Sequence, residues 1–238
     1  MQKLKININA DVGEMAGQDK ALMPYLQSCN IATGGHIGDN QSILATLELA
    51  KKNNVKIGAH PSYPDKENFG RVRPEITDEF LKASLEVQLL NFYSIADQNN
   101  AEVHHIKPHG ALYHDLVNDK NKAELFLSVL DEIDVKTSIY TLKGGFLDTL
   151  GQKTHKIYHE GFIDRRYTAD LNLVNRKKEN ALISEPKEVW KQLKSMHFDN
   201  TIIVDTGEKR HITAETYCLH GDHPKAVEIL KFIHTQIK

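Results

Sequence analysis

The sequence predicts an α/β fold: one seven-stranded, TIM-like β/α barrel spanning residues 1–238. Three observations lead there. Short apolar runs alternate with amphipathic stretches, the pattern of strands followed by helices. Nearly every expected strand is followed at once by a polar cluster. A length of 238 residues suits a barrel, which commonly reaches this size as one domain. A doubly wound open sheet shares the alternation. The clusters decide for the barrel, because a parallel barrel opens all its strand ends at one face, where active sites are built.

The elements follow in order. Residues 6–9 read as a strand, and 30–32 as a second before a glycine cluster. Residues 39–53 read as a helix with Ile43, Leu47 and Ala50 on one face. A strand at 55–59 precedes a long helix at 77–99 with Leu81, Leu85, Leu89 and Phe92 in register. Then come a strand at 103–106, a helix at 124–133, and strands at 138–142 and 156–160. Residues 186–196 are helical, with Pro186 suited to a first turn. Residues 201–204 and 211–214 form a side hairpin around Gly207. A strand at 216–219 and a helix at 224–236 complete the pattern.

Composition narrows the function. Thirty Lys+Arg against 32 Asp+Glu give a net charge of −2, with no dense basic patch, which argues against nucleic-acid binding. No apolar run approaches a membrane span. The N-terminal residues lack a signal-like apolar core, so secretion is not expected. The two cysteines, Cys29 and Cys218, make no disulfide framework and fit a reducing cytoplasm.

The clusters place chemistry at the strand ends. Asn9, Asp11 and Glu14 follow the first strand; Gly34, Gly35, His36, Gly38 and Asp39 the second; His60 and Asp65 the third. Lys107 and His109 follow the fourth, Glu160, Asp164 and Arg165 the sixth, and His220, Gly221 and Asp222 the last. Asp39 and Asp222 each precede a helix, so capping weighs at least as much as catalysis. His36 and His60 lie in turns without apolar periodicity and read as functional. Lys107 ends an apolar strand, where an unpaired ammonium is costly, and also reads as functional. Its structural alternative is an ion pair with Asp11 or Glu160. His104 and His105 read as structural, one toward solvent and one toward a partner. Cys218 and His220 share a strand face, but a buried free thiol is favoured over a nucleophile pair. The run 34–39 lacks the lysine and hydroxyl of a phosphate loop. Asp11, His36, His60, His109 and His220 form a mixed ligand set that would suit zinc or another divalent ion, without a compact metal motif.

Several longer stretches are more specific. They are 9–14 (NADVGE), 29–39 (CNIATGGHIGD), 58–65 (GAHPSYPD), 69–71 (FGR), 107–113 (KPHGALY), 164–167 (DRRY) and 218–222 (CLHGD). In this order they resemble the LamB/YcsF family over nearly the whole chain. The resemblance implies a barrel similar to those of glycoside hydrolases and deacetylases. It also implies ATP-coupled conversion of 5-oxoproline (pyroglutamate) to L-glutamate, a hydrolase reaction of amino-acid metabolism. Two partners, the 5-oxoprolinase B and C subunits, are implied as well. The chain departs from the family pattern at Thr33 and Gly35, where cysteine and phenylalanine are usual, and at Val72, usually a second arginine.

Lactam hydrolysis needs carbonyl activation, a positioned water and a proton for the leaving nitrogen. Without a phosphate loop in this chain, Mg-ATP binding is expected to fall to the partners. The candidate catalytic residues are Asp11, Glu14, His36, His60, Lys107, His109 and Asp222. The candidate substrate-binding residues are Asn9, Gly35, Asp39, Arg71, Glu160, Arg165 and His220. Two other readings compete: a stand-alone metal-dependent hydrolase or deacetylase, and a non-catalytic binding subunit.

Overall fold

A computed structural model describes residues 6–176 and 178–237. The N-terminal targeting expectation concerns residues 1–5 in part, and these lie outside the described residues. Six strands follow one another: β1 (Ile8–Val12), β2 (Ser28–Ala32), β3 (Lys56–His60), β4 (Val103–Ile106), β5 (Ser138–Thr141) and β6 (Ile157–Phe162). A side hairpin, β7 (Thr201–Ile203) and β8 (Lys209–His211), precedes β9 (Thr216–Cys218). Strands β1 to β6 pair in sequence order, and β9 closes the ring between β6 and β1. All barrel pairings are parallel, giving the expected closed barrel of seven strands.

Helices α1 (Asp19–Leu22), α2 (Asn40–Lys52), α3 (Asp78–Gln98), α4 (Gly110–Asn118), α5 (Lys120–Glu132), α6 (Phe146–Gly151), α7 (Pro186–Asp199) and α8 (Ala226–Gln236) connect the strands. Their expected apolar faces are buried: Ile43, Leu47 and Ala50 on α2, and Leu81, Leu85, Leu89 and Phe92 on α3. These side chains share one apolar cluster with Ile8, Ala10, Val12, Ile31, Ile57, Ala59 and Ile106 of the strands. The hydrophobic core therefore lies between the strands and the helices. Among the described residues, no helix is long and apolar enough to cross a membrane.

The lumen is polar. Strand side chains alternate, so the residues between the apolar ones point inward. At the bottom, Ser28 Oγ donates to Asn7 Oδ1 (2.8 Å) and Asn7 Nδ2 to the Tyr140 hydroxyl (3.1 Å). One layer up, Asn9 Nδ2 donates to Glu160 Oε1 (3.0 Å) and Thr216 Oγ1 (2.8 Å). Asn30 Nδ2 reaches both Asn9 Oδ1 and Asp11 Oδ1 at 2.8 Å. His105 Nε2 donates to Asn30 Oδ1 (2.7 Å), and its ring stacks on Tyr140 at 3.8 Å. That ring fits because residue 58 is glycine: a Cβ there would sit 2.2 Å from His105 Nε2. The network departs from the branched apolar layers usual in such barrels.

Some boundaries differ from expectation. Strand β1 runs on through Asp11 and Val12, which pair with Asn30 and Ile31, because its polar residues serve the lumen rather than a loop. The second hairpin strand is 209–211, not 211–214. A tight turn closes early, with Gly207 N–H on the Val204 carbonyl (2.9 Å) and φ of 86° at Gly207. Helices α1, α4 and α6 were not foreseen. Helix α4 hides behind Pro108–Gly110, which reads as a turn. Gly110 starts the helix at φ 53°, and a Cβ there would meet the Gly70 carbonyl oxygen at 2.5 Å.

Candidate active site

The carboxyl ends of the strands open into a cavity of about 660 Å³, within the range of small-molecule sites. Asp11, Glu14, His60, Arg71, Lys107, His109, Arg165, His220 and Asp222 all line it. The topology thus brings together residues from distant parts of the chain.

Lys107 stands at the centre, 2% exposed. It follows β4, its backbone N–H held by the Ala59 carbonyl (2.9 Å). Its Nζ lies 2.9 Å from Asp11 Oδ1 and 3.1 Å from Glu160 Oε1. Both ion pairs weighed from the sequence are therefore present. Burial opposes the charge on Lys107, but the carboxylates override it and hold the ammonium protonated well above its usual range. Burial likewise works against the Asp11 carboxylate, and the His60 and Lys107 charges still hold it well below the usual range. Lys107 also donates to Cys218 Sγ at 3.1 Å. Burial pushes the Cys218 thiol well up, so this sulfur is a hydrogen-bond acceptor rather than half of a Cys–His nucleophile pair.

A histidine cluster flanks this pair. His60 Nδ1 lies 2.6 Å from the Lys107 carbonyl oxygen, and His109 Nε2 lies 2.9 Å from that of Phe69. His60 Nε2 and His109 Nδ1 face each other at 2.9 Å. His36 stacks on His109 at 3.8 Å and donates from Nε2 to Glu14 Oε1 at 3.0 Å. Burial, then the neighbouring His60 charge, pushes His36 down to about 3. Burial, then the Asp11 charge, raises Glu14 to about 7, a value suited to proton transfer near neutral pH. Asp11, Glu14, His60 and His109 each offer a donor atom, all within 4.8 Å of one another, and form a candidate metal-ligand set.

On the opposite side, Asp164 is fully buried and accepts from the His220 backbone N–H and Nδ1, both at 3.0 Å. This fixes the imidazole with Nε2 as its remaining group, the logic of an oriented acid–base histidine. The rim is cationic. Arg71 and Arg176 grip Asp222 at 2.6 and 2.8 Å. Arg165 donates Nη2 to the Val174 carbonyl at 2.7 Å, while its buried Nε has no partner among the described residues.

Some sequence-selected residues sit elsewhere. His36 lies behind Glu14 and does not line the cavity. Asn9 and Glu160 lie beneath it, in the lumen network. Gly35 faces away: a Cβ there would meet Ser62 Oγ at 2.4 Å and Gln88 Oε1 at 2.5 Å. Thr33 also bonds Gln88, at 2.9 Å, so both departures at this loop are met by one glutamine and not at the cavity wall. Asp39 is exposed and caps α2, accepting from Ser42 N–H at 2.8 Å. The substrate-facing position expected for Asp39 is thereby replaced by a cap. Asp222 caps no helix among the described residues. Burial alone would raise it, but its arginines pull it down to about 2, so it stays ionised as an arginine bridge and does not carry protons near neutrality. Sequence reasoning did not select Arg176, Tyr113 or Phe162, which line the cavity. Arg176 sits in an irregular loop with no periodic signal.

A parallel β/α barrel with a polar, partly cationic cavity at its carboxyl mouth is the class of protein this geometry defines. The LamB/YcsF family pattern matches residues 6–238, and the chain belongs to that family. It is 35% identical over 241 residues to the 5-oxoprolinase A subunit of Pyrococcus furiosus, covering 99% of this chain and 94% of that one. It is 33% identical over 234 residues to the protein of the same name from Neisseria meningitidis serogroup C, covering 98% and 96%. Among solved structures, the lactam utilization protein from Thermus thermophilus superposes with a TM-score of 0.88 at 28% identity, covering 97% of this chain and 94% of that one. A GH113 β-1,4-mannanase, at TM-score 0.52 and 12% identity, covers 99% and 100% and shares the barrel fold alone.

Proposed function

We propose that this chain is the A subunit of an ATP-dependent 5-oxoprolinase. It works in the cytoplasm with B and C subunits and converts 5-oxoproline to L-glutamate. The near-full-length kinship with 5-oxoprolinase A subunits carries this reading, and the cavity supplies matching chemistry. In sum, 5-oxoproline, ATP and two waters give glutamate, ADP and phosphate. The partners bind Mg-ATP, whose γ-phosphoryl group activates the lactam oxygen. Lys107 faces the negative charge that develops there. Glu14 takes a proton from the attacking water, and His220, held by Asp164, delivers one to the ring nitrogen as the C–N bond breaks. The free Nε–H of Arg165 meets the substrate carboxylate.

The test is glutamate formation from 5-oxoproline and Mg-ATP by the three purified subunits. Turnover is expected only when all three are present. Undiminished turnover without this chain would refute the proposal. Turnover by this chain alone without ATP would favour the stand-alone metal-dependent hydrolase, a reading supported by the carboxylate–histidine cluster.

A further inference from the structure

We propose that His60 Nε2, His109 Nδ1 and the carboxylates of Asp11 and Glu14 hold a divalent transition-metal ion of the zinc class. The first argument is hydrogen-bond direction. A carbonyl oxygen only accepts, so His60 Nδ1 on Lys107 and His109 Nε2 on Phe69 must both carry protons. In neutral rings this leaves His60 Nε2 and His109 Nδ1 as bare lone pairs, and they converge at 2.9 Å. Two lone pairs at that distance repel unless a cation lies against both. Backbone carbonyls on the remote nitrogens are also the usual support for metal-binding imidazoles.

The second argument is charge. Asp11 and Glu160 pair with one buried ammonium, Lys107, and Glu14 adds a third buried carboxylate beside Asp11 and the two imidazoles. With Glu14 ionised, the three carboxylates exceed the one ammonium by two negative charges, which a divalent ion at the Asp11–Glu14 end would balance. The carboxylates are placed to join the nitrogens. Asp11 Oδ1 is 3.5 Å from His60 Nε2, and Glu14 Oε1 is 3.5 Å from His109 Nδ1 and 3.9 Å from His60 Nε2. Asn30 and His36 in turn hydrogen-bond the two carboxylates. Two imidazoles with carboxylates suit zinc, cobalt, iron or nickel better than calcium or magnesium. The rival arrangement is one extra proton shared between His60 and His109.

The experiment uses the full chain, stripped with a chelator and shown by its melting curve to be folded. Equilibrium dialysis against zinc, with elemental analysis, gives stoichiometry. Cobalt(II) titration gives a visible spectrum of the bound ion. One equivalent per chain, visible cobalt bands and a raised Tm are expected, with no comparable binding of magnesium. His109→Gln and Asp11→Asn should each weaken binding at least tenfold. His211→Gln, on the exposed hairpin strand, should bind as wild type does. Folded wild-type chain that takes up no metal would overturn the proposal and leave the shared proton. Binding unchanged in His109→Gln would overturn it by placing the ion elsewhere. No turnover is read, so the outcome stands apart from the lactam-hydrolase reading.

Discussion

Replacing Lys107 by methionine keeps most of the unbranched side chain, one atom shorter, and removes its charge. The structure sets the cost. Asp11 and Glu160 lose their buried partner, and breaking a buried pair in this way costs about 3–5 kcal/mol. With two carboxylates affected, the upper end of that range is expected. For a chain of this size that upper end is a Tm loss of roughly 10–20 °C. The assay is urea unfolding followed through Trp190 or circular dichroism at several pH values. Asp11, with its lowered folded value, contributes stability present above its ordinary value and lost as pH falls through the folded one. Lys107, with its raised value, contributes stability present below its ordinary value and lost as pH rises through the folded one. The gap between wild type and Lys107→Met should therefore be widest near neutrality and shrink in acid. Glu160→Gln in the Lys107→Met background should recover part of the loss, because one orphaned charge is gone. An unfolding midpoint equal to wild type at pH 7 would refute the buried-pair reasoning. Turnover per folded molecule is measured alongside. Lys107 is both paired and exposed to the cavity, so it should fall on the order of a hundredfold or more, independently of the Tm loss.

Three further outcomes follow from the same geometry. Glu14 gains a proton on folding because its value rises to about 7, so its burial lowers stability progressively as pH climbs from its ordinary value toward 7; in chelator at pH 8, urea unfolding of Glu14→Gln should show a gain of roughly 3 kcal/mol. In the three-subunit complex, Asp164→Asn and His220→Ala should each lower kcat at least about a hundredfold, and the double variant no further; multiplying losses would show that the two do not act as a unit. Gly58→Ala forces a methyl against the His105 ring and should cost about 1–3 kcal/mol in urea unfolding, with His105→Ala in the same chain relieving part of it.

Much of the architecture was legible in the sequence because strand ends in a parallel barrel must converge. Asp11, His60, Lys107 and His220 come from four strands and were found by their place after an apolar run. The same rule over-reached at Asp39 and Gly35, since helix caps and loop packing also draw polar and small residues to strand ends. The lumen was harder. Asn7, Asn9 and Asn30 alternate with apolar residues, a pattern equally consistent with a solvated sheet face, and only closure of the ring turns that face inward. The pairing of His104 and His105 was readable: His105 points inward to Asn30, while His104 stays partly exposed beside Lys56. Arg176 could not be read, because its arrival at Asp222 depends on the path of an irregular loop.

The hydrogen-bonded lumen has a consequence for how strand register is chosen. Sliding β1 by one residue would turn Ile8, Ala10 and Val12 inward and push Asn9 and Asp11 among the apolar helices. Each buried polar group so orphaned costs about 1–3 kcal/mol, and Asn30, Glu160, Thr216 and Lys107 would lose partners too. The sum reaches the whole stability of an ordinary domain, about 5–15 kcal/mol. Misaligned barrels are thus excluded by the side chains that also support the reactive cavity. Selection on catalysis and selection on correct assembly act here on the same few residues, so variants of Asn9, Asn30 or Glu160 should reveal themselves first as chains that fail to close.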